Sequence, residues 1–140
     1  MKVYIAAPFF NEEQLNKVKG IESLLEDAGV EFFSPRSEGS LGNMTPEERK
    51  AKMGDVFQSN VDHMDWCTHM VAVIDDRDTG TIWEMGYGFA MGKGIVTYSA
   101  CYHGINVMLN ESIMYHANEL QDIMGGLNGE LTSEKTTEVH

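Results

Sequence analysis

The chain has 140 residues, 10 basic and 22 acidic, so its formal net charge is −12 at pH 7. A chain of this length buries roughly 70% of its unfolded surface and forms a single domain with a hydrophobic core. The negative charge repels phosphate backbones and anionic lipids, and the apolar runs fall far short of the ~20 residues of a membrane helix. The N-terminus turns polar too early for a signal peptide. We therefore expect a cytoplasmic protein that binds neither nucleic acid nor membranes.

Short apolar strands alternate with amphipathic helices along the chain. The predicted elements are, in order, a strand at 2–7, a helix from Asn11 to Gly29, a strand at 30–33, a helix from Thr45 to about Cys67, a strand at 69–75, a helix beginning near Thr81, a strand at 95–100, and one helix or a broken pair of helices at 105–124. Capping boxes mark two of the helix starts, Asn11 with Gln14 and Thr45 with Glu48. We predict one domain over residues 1–125 and a polar C-terminal tail over 126–140.

This alternation predicts an α/β fold with a doubly wound parallel sheet of four or five strands. Ligands of such folds bind at the carboxyl ends of the strands. The segments at those ends are 6–11, 34–36, 75–80 and 100–106. Gly80, at the end of the third segment, is predicted to contact the substrate.

Three glycines at GxGxxxG spacing, Gly86, Gly88 and Gly92, fall within the third predicted helix. A dinucleotide-binding fingerprint would need them in the turn after the first strand. Because glycine in a helix costs roughly 1 kcal/mol relative to alanine, a close approach of this helix to the sheet or a ligand is expected to compensate. The turn after the first strand instead carries Phe9 and Phe10, which suit a flat uncharged ring or fill the core.

Two carboxylates are predicted at one strand end. Glu84 is placed in the first turn of the third helix, and Asp78 lies in the preceding turn. Such a pair can act as nucleophile and proton handler in retaining cleavage of glycosidic bonds, or can serve as helix cap and dipole partner. The neighbouring Asp75 and Asp76 lack the spacing of a calcium loop, and no metal site is predicted.

Asn60 falls within the apolar stripe predicted for the second helix, formed by Met53, Val56, Phe57, Val61 and Met64. Its amide is therefore expected to point toward the sheet and to need partners there. The sequence leaves open whether those partners belong to the core or to a ligand.

Four segments together resemble the nucleoside 2-deoxyribosyltransferase family: "KVYIAAPFFNEEQ", "FFSPR", "DTGTIWEMGYGFAMGKGIV" and "GINVM", spread over residues 2–108. The resemblance implies a flavodoxin-like (Rossmann-like) fold and a homo-oligomer whose sites are completed by a neighbouring subunit. It also implies exchange of the base of a 2′-deoxyribonucleoside without a cofactor. The expected substrates are 2′-deoxyribonucleosides and nucleobases.

Residue by residue, the resemblance makes Glu84 the nucleophile, Asp78 the carboxylate at the base and Tyr4 the residue that orients the nucleophile. It assigns Phe9 and Phe10 to the substrate pocket and Asn106 to the sugar 5′-hydroxyl of the adjoining subunit. The chain departs from the family at Ser59 and Asn60, where an Asn-Asp pair is common, and in its polar C-terminus.

Two other functions remain compatible with these residues. A 2′-deoxynucleoside 5′-phosphate N-hydrolase would share the tyrosine and both carboxylates but would need a loop that binds phosphate. A catalytically weak nucleoside-binding protein is the second, suggested by the amide at Asn60.

Overall fold

The computed structural model describes residues 1–39, 41–102 and 104–133. A five-stranded, fully parallel sheet forms its centre, with the strand order β2-β1-β3-β4-β5. The elements are β1 (Lys2–Ala6), α1 (Glu12–Asp27), β2 (Glu31–Phe33), a 3₁₀ helix (Pro35–Glu38), α2 (Pro46–Trp66), β3 (His69–Val73), α3 (Thr79–Ala90), β4 (Gly94–Tyr98), α4 (Val107–Glu111), β5 (Tyr115–Ala117) and α5 (Asp122–Leu127). This strand order is that of flavodoxin-like folds, so the predicted fold class is confirmed.

Each face of the sheet carries its own hydrophobic core. On β1, Val3 and Ile5 pack in a cluster that includes residues of α1 and α5, whereas Tyr4 and Ala6 pack in a cluster with residues of α2 and α3. Successive side chains of a strand point to opposite faces, and helices cover both faces here. The same alternation places the Tyr4 side chain beneath α2 and α3.

The predicted capping box is confirmed at Thr45, whereas at Asn11 only the N-cap half forms, because the Gln14 side chain accepts from the Phe10 backbone N–H and not from that of Asn11. The Asn11 side chain accepts a hydrogen bond from the Gln14 backbone N–H at 2.9 Å. The Thr45 hydroxyl and the Glu48 carboxylate each accept from the other residue's backbone N–H at 3.2 Å. Local sequence signals therefore determine where α1 and α2 begin.

The prediction of one or two helices over 105–124 is wrong in its middle part. The segment forms α4, the three-residue edge strand β5 and then α5. β5 pairs in parallel with β4, and the Met114 backbone N–H donates to the Ile95 carbonyl at 2.7 Å. So short a strand has almost no local pattern, and its pairing with β4 outweighs the helical spacing of its neighbours.

The predicted tail over residues 126–140 lies partly outside the described residues, which end at 133. Within its described part, the Ser133 hydroxyl accepts a hydrogen bond from the His116 backbone N–H at 2.7 Å. The described helices include none with the length and apolar character that crossing a bilayer demands.

The glycines of α3 serve different purposes. A Cβ at Gly88 would collide with the side chain of Met70 on β3, so the predicted close approach to the sheet is confirmed there. A Cβ at Gly86 would meet open space, and Gly92 lies beyond the helix end with a φ of 76°. Only Gly88 therefore brings α3 close to the sheet.

We expect Gly88→Ala to lower the free energy of unfolding by about 1–3 kcal/mol, because the added methyl overpacks the contact with Met70. Gly86→Ala is the matched control on the same helix and is expected to raise it by up to about 1 kcal/mol through helix propensity. Urea unfolding of both variants measures the difference. Equal effects in the two variants would contradict this account of the packing.

Candidate active site

A cavity of about 480 Å³ lies between the C-terminal half of α2 and the first turns of α3. It is lined by Phe57, Asn60, Val61, Met64, Thr79, Gly80, Trp83 and Glu84. α3 begins beyond the carboxyl end of β3, next to the point between β1 and β3 where the strand order reverses. Doubly wound folds bind their ligands at this position, and the volume is within the usual range for a small molecule.

Glu84 and Tyr4 form a hydrogen-bonded pair at this cavity, although 80 positions separate them in the chain. The hydroxyl of Tyr4 donates to Glu84 Oε2. The Tyr4 side chain is fully buried, and its ring lies 5.8 Å from that of Phe33. The buried ring therefore holds the hydroxyl in place under the carboxylate.

Burial raises the pKa of Glu84 to about 7, because the ionised carboxylate loses water. The hydrogen bond from Tyr4 opposes this rise in pKa, and the negative charge of Asp78 adds to it. The pKa of Tyr4 is raised by burial and then by the charge of Glu84, so its hydroxyl stays protonated and continues to donate. The pair thus supplies a carboxylate that ionises near neutral pH.

The prediction that Glu84 lies in the first turn of α3 is wrong, because the helix begins at Thr79 and not near Thr81. Its first turn contains no acidic residue, and Glu84 lies in the second turn. Since the helix dipole acts within the first turn, it does not explain why a carboxylate is present here.

Asp78 is the N-cap of α3, as the capping interpretation predicted. Its Oδ2 accepts hydrogen bonds from the Thr81 backbone N–H at 2.9 Å and from the Thr81 hydroxyl at 3.0 Å. A Cβ at Gly80 would lie 3.2 Å from the same oxygen, so glycine leaves room for the capping carboxylate. The cap holds Asp78 near enough for its charge to raise the pKa of Glu84.

The neighbouring aspartates take separate partners. Asp75 accepts from Lys17 Nζ at 2.8 Å and from the Ser99 hydroxyl at 2.5 Å, while Asp76 accepts from Gln14 Nε2 at 2.7 Å. Burial would raise the pKa of Asp75, but the bonds from Lys17 and Ser99 hold it below its ordinary value. Over residues 1–39, 41–102 and 104–133, no three His, Cys, Asp or Glu side chains are grouped as metal ligands.

Asn60 lines the cavity, and its Oδ1 is shielded from solvent without a hydrogen-bond partner. An unpaired buried acceptor costs about 1–3 kcal/mol. The predicted apolar stripe around it is wrong in its N-terminal part: Met64 is buried, whereas Met53 and Phe57 are 54% and 56% exposed. Asn60 therefore lies where α2 changes from covering the sheet to bordering the cavity.

An aromatic wall of the cavity was not predicted from the sequence. Trp83 is 51% exposed and stacks on Tyr87, with ring centroids 5.7 Å apart and an angle of 7° between the ring planes. Phe57 meets the edge of Trp83 at 5.8 Å. Exposed aromatic rings suit a planar ligand. The sequence feature that could have indicated this wall is Trp83, the residue directly before the candidate nucleophile.

Phe9 and Phe10 stack on each other with centroids 5.4 Å apart, and neither lines the cavity at Glu84. Phe10 is 77% exposed, so it does not fill the core. Their assignment to the substrate pocket remains a prediction.

Asn106 does not line the cavity at Glu84. It is the N-cap of α4, where its Oδ1 accepts from the Met108 backbone N–H at 2.8 Å. It lines a second cavity of about 380 Å³, which Arg77, Ile82 and Tyr102 also border. Of the predicted site residues, Glu84, Gly80 and Asn60 line one cavity, Tyr4 and Asp78 interact with Glu84, and Asn106 lines a different cavity.

The sequence model of the family described as nucleoside 2-deoxyribosyltransferase matches residues 3–124. Among proteins with curated functions, none matches the chain significantly. A 2-deoxyribosyltransferase from Bacillus psychrosaccharolyticus is 34% identical, with a TM-score of 0.76 over 88% of this chain and 90% of that one.

Two more distant structures share the fold. A conserved protein from Enterococcus faecalis V583 has 15% identity and a TM-score of 0.71, covering 94% of this chain and 99% of its own. The Clostridium botulinum CMP N-glycosidase BcmB has 17% identity and a TM-score of 0.64, covering 91% and 99%. The family match and the 34% identical structure together show that the chain belongs to the nucleoside 2-deoxyribosyltransferase family.

Proposed function

We propose that the protein exchanges the base of 2′-deoxyribonucleosides through a covalent deoxyribosyl-Glu84 intermediate. The hydrogen-bonded pair of Glu84 and Tyr4 at the cavity carries this proposal. A carboxylate with a pKa of about 7 is available as a nucleophile at neutral pH. The similarity to a 2-deoxyribosyltransferase supports the same chemistry.

In the first half-reaction, the Glu84 carboxylate attacks C1′ and forms a C–O bond. The bond from C1′ to the base nitrogen breaks, and its electron pair leaves with the base. Asp78 assists protonation of the departing base. Both hydrogen bonds from Thr81 go to Oδ2 of Asp78, so we assign Oδ1 to the base.

In the second half-reaction, a nitrogen of the incoming base attacks C1′ on the face that the first base left. The bond to Glu84 breaks, the carboxylate is regenerated, and Asp78 accepts the proton that the incoming base loses, which replaces the proton given to the first base. Two inversions at C1′ give overall retention. No cofactor takes part in these steps.

Incubation with thymidine and adenine tests the proposal. Formation of 2′-deoxyadenosine indicates base exchange, whereas thymine with free deoxyribose indicates hydrolysis. If neither product forms, the proposal of base exchange fails. Separation of the products by chromatography distinguishes these outcomes.

The alternative of a 2′-deoxynucleoside 5′-phosphate N-hydrolase is less well supported by the site. No lysine or arginine is among the described residues that line the cavity at Glu84. A net charge of −12 also opposes binding of an anion. A neutral nucleoside therefore fits the cavity better than a nucleotide.

We also propose that the active site is completed by Asn106 of a neighbouring subunit in a homo-oligomer. Val107 and Met108, next to Asn106, are 45% and 75% exposed, which suits contact with another chain.

Asn106→Ala is then expected to lower activity about tenfold or more through loss of a sugar contact. Mixing it with Glu84→Ala should give more activity than the sum of the separate variants, because some sites regain both native residues. A monomer in sedimentation, or no gain after verified subunit exchange, would contradict this proposal.

A further inference from the structure

The amide of Asn60, whose Oδ1 has no partner, indicates how the cavity distinguishes bases. Asn60 lies one position after Ser59, whose hydroxyl donates to Glu38 Oε1 at 3.0 Å and lies 3.4 Å from His63 Nδ1. Oδ1 of Asn60, by contrast, has no hydrogen-bond partner in the described residues. A ligand that donates to this oxygen gains a bond that the protein does not supply. Asn χ2 has a broad energy profile, so a rotation can turn the oxygen toward the cavity.

The rest of the cavity wall discriminates poorly between bases. Phe57, Val61, Met64 and Trp83 are apolar, and every base has a face that stacks on an aromatic ring. The Thr79 hydroxyl can donate or accept, and Glu84 is assigned to the sugar. Asp78, whose Oδ1 is assigned to protonation of the base, is not part of this wall, so among the described lining residues the amide of Asn60 is the side chain with a fixed donor beside a fixed acceptor.

An amide presents one N–H donor group beside one C=O acceptor. Adenine offers the complementary pair, the acceptor N7 beside the 6-amino donor, and asparagine reads adenine through these two atoms in nucleic acids. On the same edge, a 6-oxopurine has acceptors at both positions, so the amide can satisfy only one of them. A bond donated to N7 also stabilises the electron pair that a departing purine takes into its five-membered ring.

We propose that Asn60 selects 6-aminopurines over 6-oxopurines, with Nδ2 donating to N7 and Oδ1 accepting from the 6-amino group. This inference rests on the proposed base exchange at Glu84 and names the base that the site prefers. It makes Asn60 a specificity-determining residue that contacts the substrate.

The test measures transfer from 2′-deoxyadenosine and from 2′-deoxyinosine to thymine, expressed as the ratio of the two kcat/KM values. We expect the ratio in the wild type to exceed that in Asn60→Ala by about tenfold or more. Comparing the ratios removes the difference in intrinsic reactivity between the two nucleosides. Removing an unpaired carbonyl should not destabilise the fold, and unfolding temperatures check this point.

Three variants complete the design. Asn60→Ser has one hydroxyl and cannot make both contacts, so it should also lose the preference. Ser59→Ala and Val61→Ala are matched controls, one removing a polar group outside the cavity and the other removing apolar volume within it. Both should keep the wild-type ratio.

The possible failures can be told apart. Transfer from both nucleosides with the same ratio in wild type, Asn60→Ala and Asn60→Ser would overturn the role of Asn60 and leave base exchange standing. Loss of the preference in Val61→Ala as well would attribute it to cavity shape and not to the amide. Absence of transfer from either nucleoside by the wild type would overturn both the role of Asn60 and the proposed function.

Discussion

Replacing Glu84 with alanine is expected to lower base exchange by about 10⁴-fold or more, because the first half-reaction loses its nucleophile. No other carboxylate takes its place at C1′, since Asp78 is held by its bonds to Thr81 at the start of α3. Steady-state rates with thymidine and adenine measure the loss. Near-wild-type activity in Glu84→Ala would exclude the covalent mechanism.

Trapping provides an independent measurement of the same residue. A 2′-deoxy-2′-fluoronucleoside slows the second half-reaction and should leave the sugar attached to the enzyme. We expect mass spectrometry of peptides to locate the label on Glu84 in the wild type and to find none in Glu84→Ala. A label on Asp78 or on another residue would assign the nucleophile elsewhere.

The loss of activity should not reflect unfolding. The pKa of Glu84 is raised from 4.5 to about 7 in the folded protein, so folding disfavours its ionised form. Between pH 4.5 and about 7 the folded protein keeps the proton of Glu84 that the unfolded chain releases, so the contribution of Glu84 to the free energy of unfolding falls over this range and is lost above it. At higher pH, Glu84→Ala therefore removes an unfavourable buried charge, which offsets the cost of leaving the Tyr4 hydroxyl without its acceptor, and the variant should stay folded at the assay temperature. Glu47→Ala, which replaces an exposed glutamate at the start of α2, is the matched control and should keep full activity.

Local sequence patterns predicted most of the fold. The helix caps at Asn11 and Thr45 and the apolar strands give the order of elements, because the residues of each such pattern lie close together in the sequence. β5 escaped prediction because it is an edge strand of three residues, stabilised by its partner β4 and not by its own pattern. Non-local pairing is the information that a local pattern lacks.

The site was predicted less completely than the fold. The position after the third predicted strand made Asp78 and Glu84 candidates, whereas the link between Glu84 and Tyr4 came only from the family resemblance, because it depends on how α3 packs on β1. Helical periodicity assigned Phe57 to the core, whereas the structure has it at the cavity beside Trp83. The apolar spacing along a long helix such as α2 does not show which of its turns extend beyond the sheet. For this reason the sequence did not indicate that Phe57 belongs to an aromatic wall.

Tyr4→Phe is expected to lower base exchange at neutral pH by about 10- to 100-fold, the usual effect of losing a hydrogen bond to a charged group. The substitution keeps the ring that packs against Phe33 and removes only the hydroxyl that donates to Glu84. Since this hydrogen bond lowers the pKa of Glu84, its loss should raise that pKa above about 7. A smaller fraction of the enzyme then carries the ionised nucleophile at neutral pH.

The pH profile separates this effect from a general loss of activity. In the wild type, kcat/KM should rise with pH as Glu84 ionises, with a midpoint near 7. In Tyr4→Phe the midpoint should move to higher pH by about one unit or more, so that part of the lost rate returns under alkaline conditions. Tyr87→Phe is the matched control, because the Tyr87 hydroxyl also donates to a carboxylate, Asp65 at 2.6 Å, on the exposed side of α3. It should leave the midpoint unchanged, and an unshifted midpoint in Tyr4→Phe would show that the Tyr4 hydroxyl does not control the ionisation of Glu84.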